Sequence, residues 1–142
     1  MDTIASRKLT REGAMKVLNT AVDKAHALNC HVSIAVVDDG GHLIAFTRSE
    51  KAELYSIAIA QTKAKSAALT RFPSGKKSPT GNERSDHHAL AITLAAGADS
   101  FVTIEGGFPL FSEGEIVGAV AVSGAGGKDI DVAQTAAAAL GK

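Results

Sequence analysis

The residues of this sequence that are equipped for chemistry are a few cations and histidines, and they form no recognisable catalytic set. Arg48 ends an otherwise apolar strand-like run, so we expect its guanidinium at a rim or against an anionic ligand. Lys63 falls near the apolar edge of a helical stretch, where a stem that extends to water is the plainer interpretation. No HExxH, CxxC, CxxCH or G-x-S-x-G motif occurs in the sequence. Catalytic residues are therefore not assigned.

Two neighbouring histidines, His87 and His88, are candidate ligands for a metal or a heme iron. Both fall in the first turn of a predicted helix, where the positive end of the helix dipole favours the neutral imidazole that coordinates iron. Adjacent side chains project about 100° apart on a helix, so both do not readily hold one ion. His26, His31 and His42 are candidates by chemistry alone. A surface or boundary position is the alternative for all of these histidines.

Paired glycines mark a place where a ligand or another backbone could approach closely. Gly106 and Gly107 precede a short strand-like run, and glycines at a strand start permit unusual torsions. Pro109 follows two residues later and cannot donate to a central ladder. We therefore predict that this strand lies at a sheet edge or contains a bulge.

A second glycine-rich turn begins at Ser123 and Gly124 and leads from the most strand-like stretch into a helix. A strand, a glycine loop and a helix in this order can hold an anion on backbone N–H groups. The dinucleotide-binding fingerprint is absent, because Asp129 stands at its third glycine position. Taken alone, such a turn is more often only a turn.

Two β-hairpins and several helices are expected to position these residues. Residues 31–48 read as two strands around the turn 38–41, and residues 108–123 read as two strands around the turn 112–114. A short strand over residues 101–104 would bring the sheet to about five strands. Apolar residues at helical spacing predict helices over residues 11–28, 56–71, 85–97 and 128–140. The fold class is therefore α+β, with a central antiparallel sheet flanked by helices.

Length and composition indicate one domain over residues 1–142, with a loose segment over residues 1–9. The 15 basic and 15 acidic residues balance, and aromatic residues make up only 4%, so we expect neither nucleic acid nor a membrane surface as a partner. No export signal or long apolar run is evident, and a cytoplasmic location is the expectation. The abundance of alanine and glycine predicts a homo-oligomer.

Four stretches of the sequence together resemble one known family, the GlcG/HbpS family of heme-binding-like proteins, which includes the C-terminal domain of the propanediol-utilisation protein PduO. These stretches are VSIAVVDDGGHLIAFTR, AIAQTKAKSAALTRFPS, EGGFPLF and EIVGAVAVSGAGGKDIDVAQTAAAAL. Their order and spacing cover nearly all of the chain after residue 10.

The resemblance implies a profilin-like α+β domain that assembles into dimers to octamers. It also implies heme as a possible cofactor, because some members bind heme. The family's recurrent polar and glycine positions would line a pocket between subunits or hold the fold. In this sequence they correspond to Asp38, Gly41, Arg48, Lys63, Gly106, Gly107, Pro109, Ser123 and Gly124. Which histidine would bind the iron does not follow from the resemblance.

Three functions are compatible with these observations. The first is a cytoplasmic heme- or tetrapyrrole-binding accessory protein of a catabolic pathway, with Arg48 or a lysine near the propionates. The second is an enzyme or binding protein for a small organic acid, with Arg48 as the carboxylate anchor. The third is a purely structural oligomer. The first two require Arg48, the glycines at 106–107 and the 123–127 turn to converge on one cleft between subunits.

Overall fold

A computed structural model describes residues 1–141 as an antiparallel sheet covered by helices. Within this part of the chain there are four helices and four strands. The helices are α1 (Arg11–Ala27), α2 (Ser56–Thr70), α3 (Asp86–Ala96) and α4 (Lys128–Ala138), and the strands are β1 (Ser33–Asp38), β2 (Leu43–Arg48), β3 (Gly107–Ser112) and β4 (Glu115–Ser123). The strand order is β2-β1-β4-β3, and every neighbouring pair is antiparallel.

Local sequence signals explain where most of these elements begin and turn. The Thr10 side chain accepts a hydrogen bond from the Gly13 N–H and caps α1, and Ser85 caps α3 in the same way through the His88 N–H. The β3–β4 hairpin turns on Glu113 and Gly114, which both have positive φ, the geometry of a two-residue type I′ turn. Both predicted hairpins and all four predicted helices are therefore confirmed, with ends shifted by a few residues.

The sheet separates two apolar layers, and alternate residues of β1 supply both. Ile34 and Val36 face α1 and α4, together with valines of β4. Ala35 and Val37 face α2, where the contacting helix residues are almost all alanine. These small side chains let α2 lie close to the sheet. α2 covers β1, β4 and β3 but makes no comparable contact with β2, whereas α1 covers both β1 and β2 on the other face.

The sheet has four strands among the described residues, so the prediction of about five is wrong. Residues 101–104, predicted as a further strand, do not join the sheet. Their backbone lies beside α2 and the residues that follow it, where the Val102 N–H donates to the Ser66 hydroxyl and the Ser74 hydroxyl donates to the Ile104 carbonyl. Side-chain hydroxyls therefore form hydrogen bonds with the backbone of this segment, at Val102 and Ile104, in place of a neighbouring strand.

Pro109 lies in β3, which is an edge strand with a register shift between Leu110 and Phe111. The prediction of an edge or a bulge is confirmed. The N-terminal segment before α1 has no regular structure, although the Lys8 ammonium lies 3.1 Å from an Asp39 carboxylate oxygen and Leu9 packs against the core.

Candidate functional site

Several of the predicted site residues lie in a row across one end of the sheet. Arg48 is paired with Ser33, and Ser33 is paired in turn with Ser123. The Val122 N–H donates to the Gly106 carbonyl, 3.0 Å away, so the glycine pair stands next in the row. Antiparallel pairing thus brings together residues that are far apart in sequence. They do not open onto one shared cavity within the described chain, because the space beside the glycines is filled. A single chain therefore does not bring Arg48, the glycines and the 123–127 turn to one cleft, and a ligand site on it depends on Arg48 without the other two.

That space is filled by a buried ion pair. Lys63 is only 1% exposed, and its ammonium donates to the Val122 carbonyl at 2.8 Å and to an Asp129 carboxylate oxygen at 3.2 Å. Burial lowers the pKa of Lys63, and the Asp129 carboxylate opposes this change. The prediction that the lysine stem extends to water is therefore wrong. Lys63 instead ties α2 to the end of β4 and the start of α4.

Gly106 and Gly107 make room for this pair and for α2. A Cβ at Gly106, whose φ is +125°, would lie 2.9 Å from the Lys63 ammonium and 2.8 Å from the Val122 carbonyl. A Cβ at Gly107 would lie 2.5 Å from the Lys63 carbonyl oxygen. Close backbone approach thus accounts for both glycines.

The 123–127 turn is also engaged within the chain. Asp129 uses its second carboxylate oxygen to accept the Ala125 N–H at 2.9 Å, so an internal anion occupies part of the predicted anion-binding backbone. Gly124 has a φ of +119°, and a Cβ there would approach the His31 carbonyl to 2.9 Å. Ser123 is buried at the end of β4. The contribution of this turn to ligand binding stays a prediction.

Arg48 also borders a different surface, a groove between the end of α1 and the start of β1, although its side chain alternates with Thr47 and stands on the same sheet face as its register partner Ser33. We call this the Arg48 groove; its volume is about 170 Å³, and it is lined by Val22, Ala25, His26, Cys30, Val32, Ile34, Thr47, Arg48, Ser49 and Glu50. The guanidinium forms no ion pair or hydrogen bond within residues 1–141. The groove therefore combines an apolar floor, an imidazole and a thiol, with an unpaired cation at its border.

The remaining histidines lie elsewhere. His87 and His88 are exposed in the first turn of α3. His42 is at the opposite end of the sheet, where its backbone N–H and that of Gly40 donate to Asp38. Burial alone would raise the pKa of Asp38, but these hydrogen bonds lower it below its ordinary value. His31 borders a separate depression beside Gly124.

Reasoning from the sequence missed two parts of this arrangement. It did not pair Lys63 with Asp129, because 66 residues separate them and no local pattern connects the two. It also did not place His26 and Cys30 beside Arg48, although all three lie near the ends of consecutive predicted elements. Among the described residues no group of three or more His, Cys, Asp or Glu side chains could hold a metal ion. Nor does any helix within residues 1–141 have the length and apolar character needed to cross a membrane.

The fold and the site define a small α+β protein with a four-stranded antiparallel sheet, a buried Lys–Asp pair at one sheet end, and a cationic groove beside it. A family model described as "Haem degrading protein HbpS-like" matches residues 9–140. The chain therefore belongs to the HbpS-like family.

Among curated relatives, protein GlcG of Escherichia coli K12 is 37% identical over 115 residues, which are 81% of this chain and 81% of GlcG. An uncharacterized 15.0 kDa protein from the dhaT-dhaS intergenic region of Citrobacter freundii is 28% identical over 116 residues, 82% of this chain and 80% of that protein. The resemblance to the GlcG/HbpS family is thus confirmed.

Solved structures of similar proteins share the architecture. Protein ORFY of Klebsiella pneumoniae superposes with a TM-score of 0.82 at 25% identity over 99% of this chain and 96% of its own. A double mutant of Streptomyces reticuli HbpS gives 0.76 at 28% identity, with 99% and 92% coverage. The complex of PduOC with heme gives 0.74 at 25% identity, with 95% and 96% coverage. Heme binding therefore occurs on this fold in a similar protein.

Proposed function

We propose that this protein binds heme in the Arg48 groove and that a second copy of the chain completes the site. The observation that carries the proposal is the chemistry of this groove, in a chain whose family includes a heme complex. The partly buried Val22 offers an apolar contact to a macrocycle, with the buried Val32 and Ile34 beneath the groove. Arg48 has no partner within residues 1–141, so it is free to pair with a propionate.

The donors in the groove fit a heme iron. His26 and Cys30 both line the groove, and an imidazole and a thiolate are common axial ligands of heme. We propose His26 as the axial ligand and His87 and His88 as the rival ligands. When bound, heme supplies redox and gas-binding chemistry at its iron, and the protein's part is to hold and orient it.

The small size of the groove supports the proposed self-association. About 170 Å³ is less than the roughly 300–1,000 Å³ of pockets that enclose a drug-sized ligand. One chain would thus cover only part of a macrocycle. We propose that the dimer or larger homo-oligomer expected from the resemblance supplies the rest of the enclosure, in a cytoplasmic accessory protein of a catabolic pathway.

Titration of the purified protein with hemin, followed in the Soret band, tests the proposal. We expect saturable binding with a shifted Soret maximum, and an affinity at least about tenfold lower in the His26→Ala variant, because the axial bond is lost. The matched control is His42→Ala, since the His42 side chain is 82% exposed at the other end of the sheet. Absence of a Soret shift in the wild type would reject heme binding.

Further variants locate the site. If His87→Ala/His88→Ala abolishes binding and His26→Ala does not, the heme lies against α3 and the Arg48 groove is the wrong site. Arg48→Ala should weaken the binding of hemin but not of its dimethyl ester, which has no propionate charge. An equal loss for both compounds would contradict the role given to Arg48.

The unpaired Arg48 guanidinium also favours a second candidate function, the binding of a small organic acid. A thermal-shift screen of hydroxy and keto acids tests it, because a ligand that binds only the folded state raises the melting temperature. Stabilisation that disappears in Arg48→Ala would support this function. No stabilisation by any acid would count against it.

A further inference from the structure

The helix α3 stands apart from the rest of the described chain. None of its residues is buried, and it makes no substantial contact with another helix or strand. Its outward side chains include Leu90 at 59% exposure and Leu94 at 76%. After Asp86 the helix carries no acidic residue, lysine or arginine. Leu90 and Leu94 are one turn apart and thus form an exposed apolar face.

A helix of this kind is not expected to be stable without a partner. Isolated helices shorter than about 12–15 residues are marginal in water, and α3 has 11 residues. Two contacts connect the start of α3 to the described chain. The exposed Lys76 ammonium pairs with Asp86 at 2.9 Å, and the Arg84 guanidinium, just before the helix, lies 5.3 Å from the centre of the Phe101 ring. The apolar face of α3 is left uncovered.

One strand of the sheet, β2, is also incompletely covered. On the α2 side, β1, β3 and β4 are covered by helix, whereas only Phe46 of β2 packs against this layer. A cavity of about 370 Å³ lies between β2 and α2. It is lined by Val37, Gly41, Leu43, Ala58, Gln61, Thr62, Lys65 and Asp99. We call it the β2 trough. Leu43 at its edge is 50% exposed. The β2 end of this layer is thus only partly covered.

We propose that α3 of one copy of this chain packs into the β2 trough of a second copy. The apolar face of α3 and the apolar part of the trough, at Val37, Leu43 and Ala58, belong to the same chain, so an exchange between two copies covers both. The Lys65–Asp99 pair borders this contact. The inference rests on the self-association proposed above and not on heme.

A second apolar groove, lined in part by Phe72, Phe108 and Phe111, competes for α3. Its volume is about 380 Å³. The β3 strand beside it already has α4 on one face and α2 on the other, so no layer is missing there. We therefore assign α3 to the β2 trough, and the groove at Phe111 becomes the control.

Sedimentation velocity of charged variants tests the assignment. Leu90→Glu/Leu94→Glu should shift the assembly toward the 14.5 kDa monomer, with the association constant at least about a hundredfold lower, because two apolar contacts are lost. Leu43→Glu, on the trough, should do the same. All three positions are exposed in the monomer, so its fold is expected to be retained, as circular dichroism can verify.

Matched controls are Phe111→Glu at the competing groove and Met15→Glu on the outer face of α1, which are 37% and 38% exposed. Both should leave the assembly unchanged. If Phe111→Glu dissociates the assembly and Leu43→Glu does not, the assignment of α3 to the trough is wrong. A monomeric wild type would overturn the inference together with the proposed self-association.

Cross-linking gives a direct measurement of the contact. Leu94→Cys and Leu43→Cys are made separately in a Cys30→Ser background, mixed, and oxidised mildly. A disulfide between the two different variants, at least about fivefold more abundant than either homodimer, is the expected result if the surfaces meet. An assembled wild type without this cross-link would contradict the contact and leave the proposed heme site unaffected.

Discussion

At the scale of single residues, the buried Lys63–Asp129 ion pair restricts which residues can stand next to it. The lysine needs a partner for its charge, since an unpaired charge in a protein interior is costly. Asp129 and the Val122 carbonyl provide that partner, and Gly106 provides the space. One charge thus links α2, β4, α4 and the residue before β3. The pair is a structural tie beside the candidate site, and both of its side chains are buried.

Removing one member of this pair should be costly. We expect Lys63→Met or Asp129→Asn to lower the free energy of unfolding by about 3–5 kcal/mol, because each leaves a buried polar group without its partner. Urea denaturation measures the effect. The control is Lys65→Met, whose 3.7 Å pair with Asp99 is largely exposed, and its cost should stay below about 1 kcal/mol.

The double variant Lys63→Met/Asp129→Leu completes the cycle. The loss in free energy of unfolding in the double variant should be well below the sum of the losses in the single variants, since no charge is left unpaired. Additive costs in the double variant would show that the two side chains do not act as a pair.

The sequence indicates the residue-scale features unevenly. Arg48 and the glycines could be selected because a cation on an apolar strand and a double glycine are locally unusual. The burial of Lys63 could not be predicted, because it depends on Asp129. This residue lies 66 positions away in α4 and contacts Lys63 only in the folded chain. A lysine on the apolar edge of a helix has the same sequence pattern whether or not such a partner exists.

At the scale of elements, β4 depends on a glycine where two backbones nearly touch. A Cβ at Gly118 would lie 2.2 Å from the Val37 carbonyl oxygen, so Gly118→Ala should separate β4 from β1 and lower the free energy of unfolding by several kcal/mol. Gly127→Ala is the matched control, because no atom lies within 4 Å of its added Cβ and its φ of −60° suits alanine.

Gly127→Ala should be neutral or stabilise the fold by about 0.4–1 kcal/mol through the unfolded state. Thermal and urea unfolding of the two variants check this contrast. Similar stabilities for both would mean that β4 can move away from β1 without cost.

The hairpins and the four helices could be predicted because their signals are local: turn residues with positive φ, caps and apolar periodicity. The prediction of a strand over residues 101–104 was wrong for the opposite reason, because its outcome depends on distant parts of the chain. Its residues suit a strand, but β3 already holds the sheet edge, and Ser66 and Ser74 satisfy the backbone of this segment. Competition for an edge is a property of the fold that alternating residues do not reveal.

At the scale of the whole molecule, the described chain is incomplete on two surfaces. The Arg48 groove would cover only part of the proposed heme, and the α2 side of β2 is only partly covered. β2 borders both surfaces, because Thr47 and Arg48 line the groove and Leu43 lines the trough. Packing at this one edge strand can therefore influence both assembly and ligand binding.

This shared strand predicts that heme affinity and self-association are thermodynamically linked. If a second copy completes the heme site, hemin should bind the associated form more tightly than the monomer, and by reciprocity hemin should promote association. The apparent affinity for hemin should therefore rise with protein concentration. It should fall at least about tenfold in Leu90→Glu/Leu94→Glu, which leaves His26, Cys30 and Arg48 untouched.

Soret titrations at several protein concentrations, together with sedimentation of samples with and without hemin, measure both sides of this linkage. The Met15→Glu variant, altered on an outer surface of α1, should titrate like the wild type. An affinity that is independent of protein concentration and equal in the monomeric variant would show that one chain encloses enough of the heme by itself. The Arg48 groove would then have to open beyond its present 170 Å³ on binding, and assembly would serve stability alone.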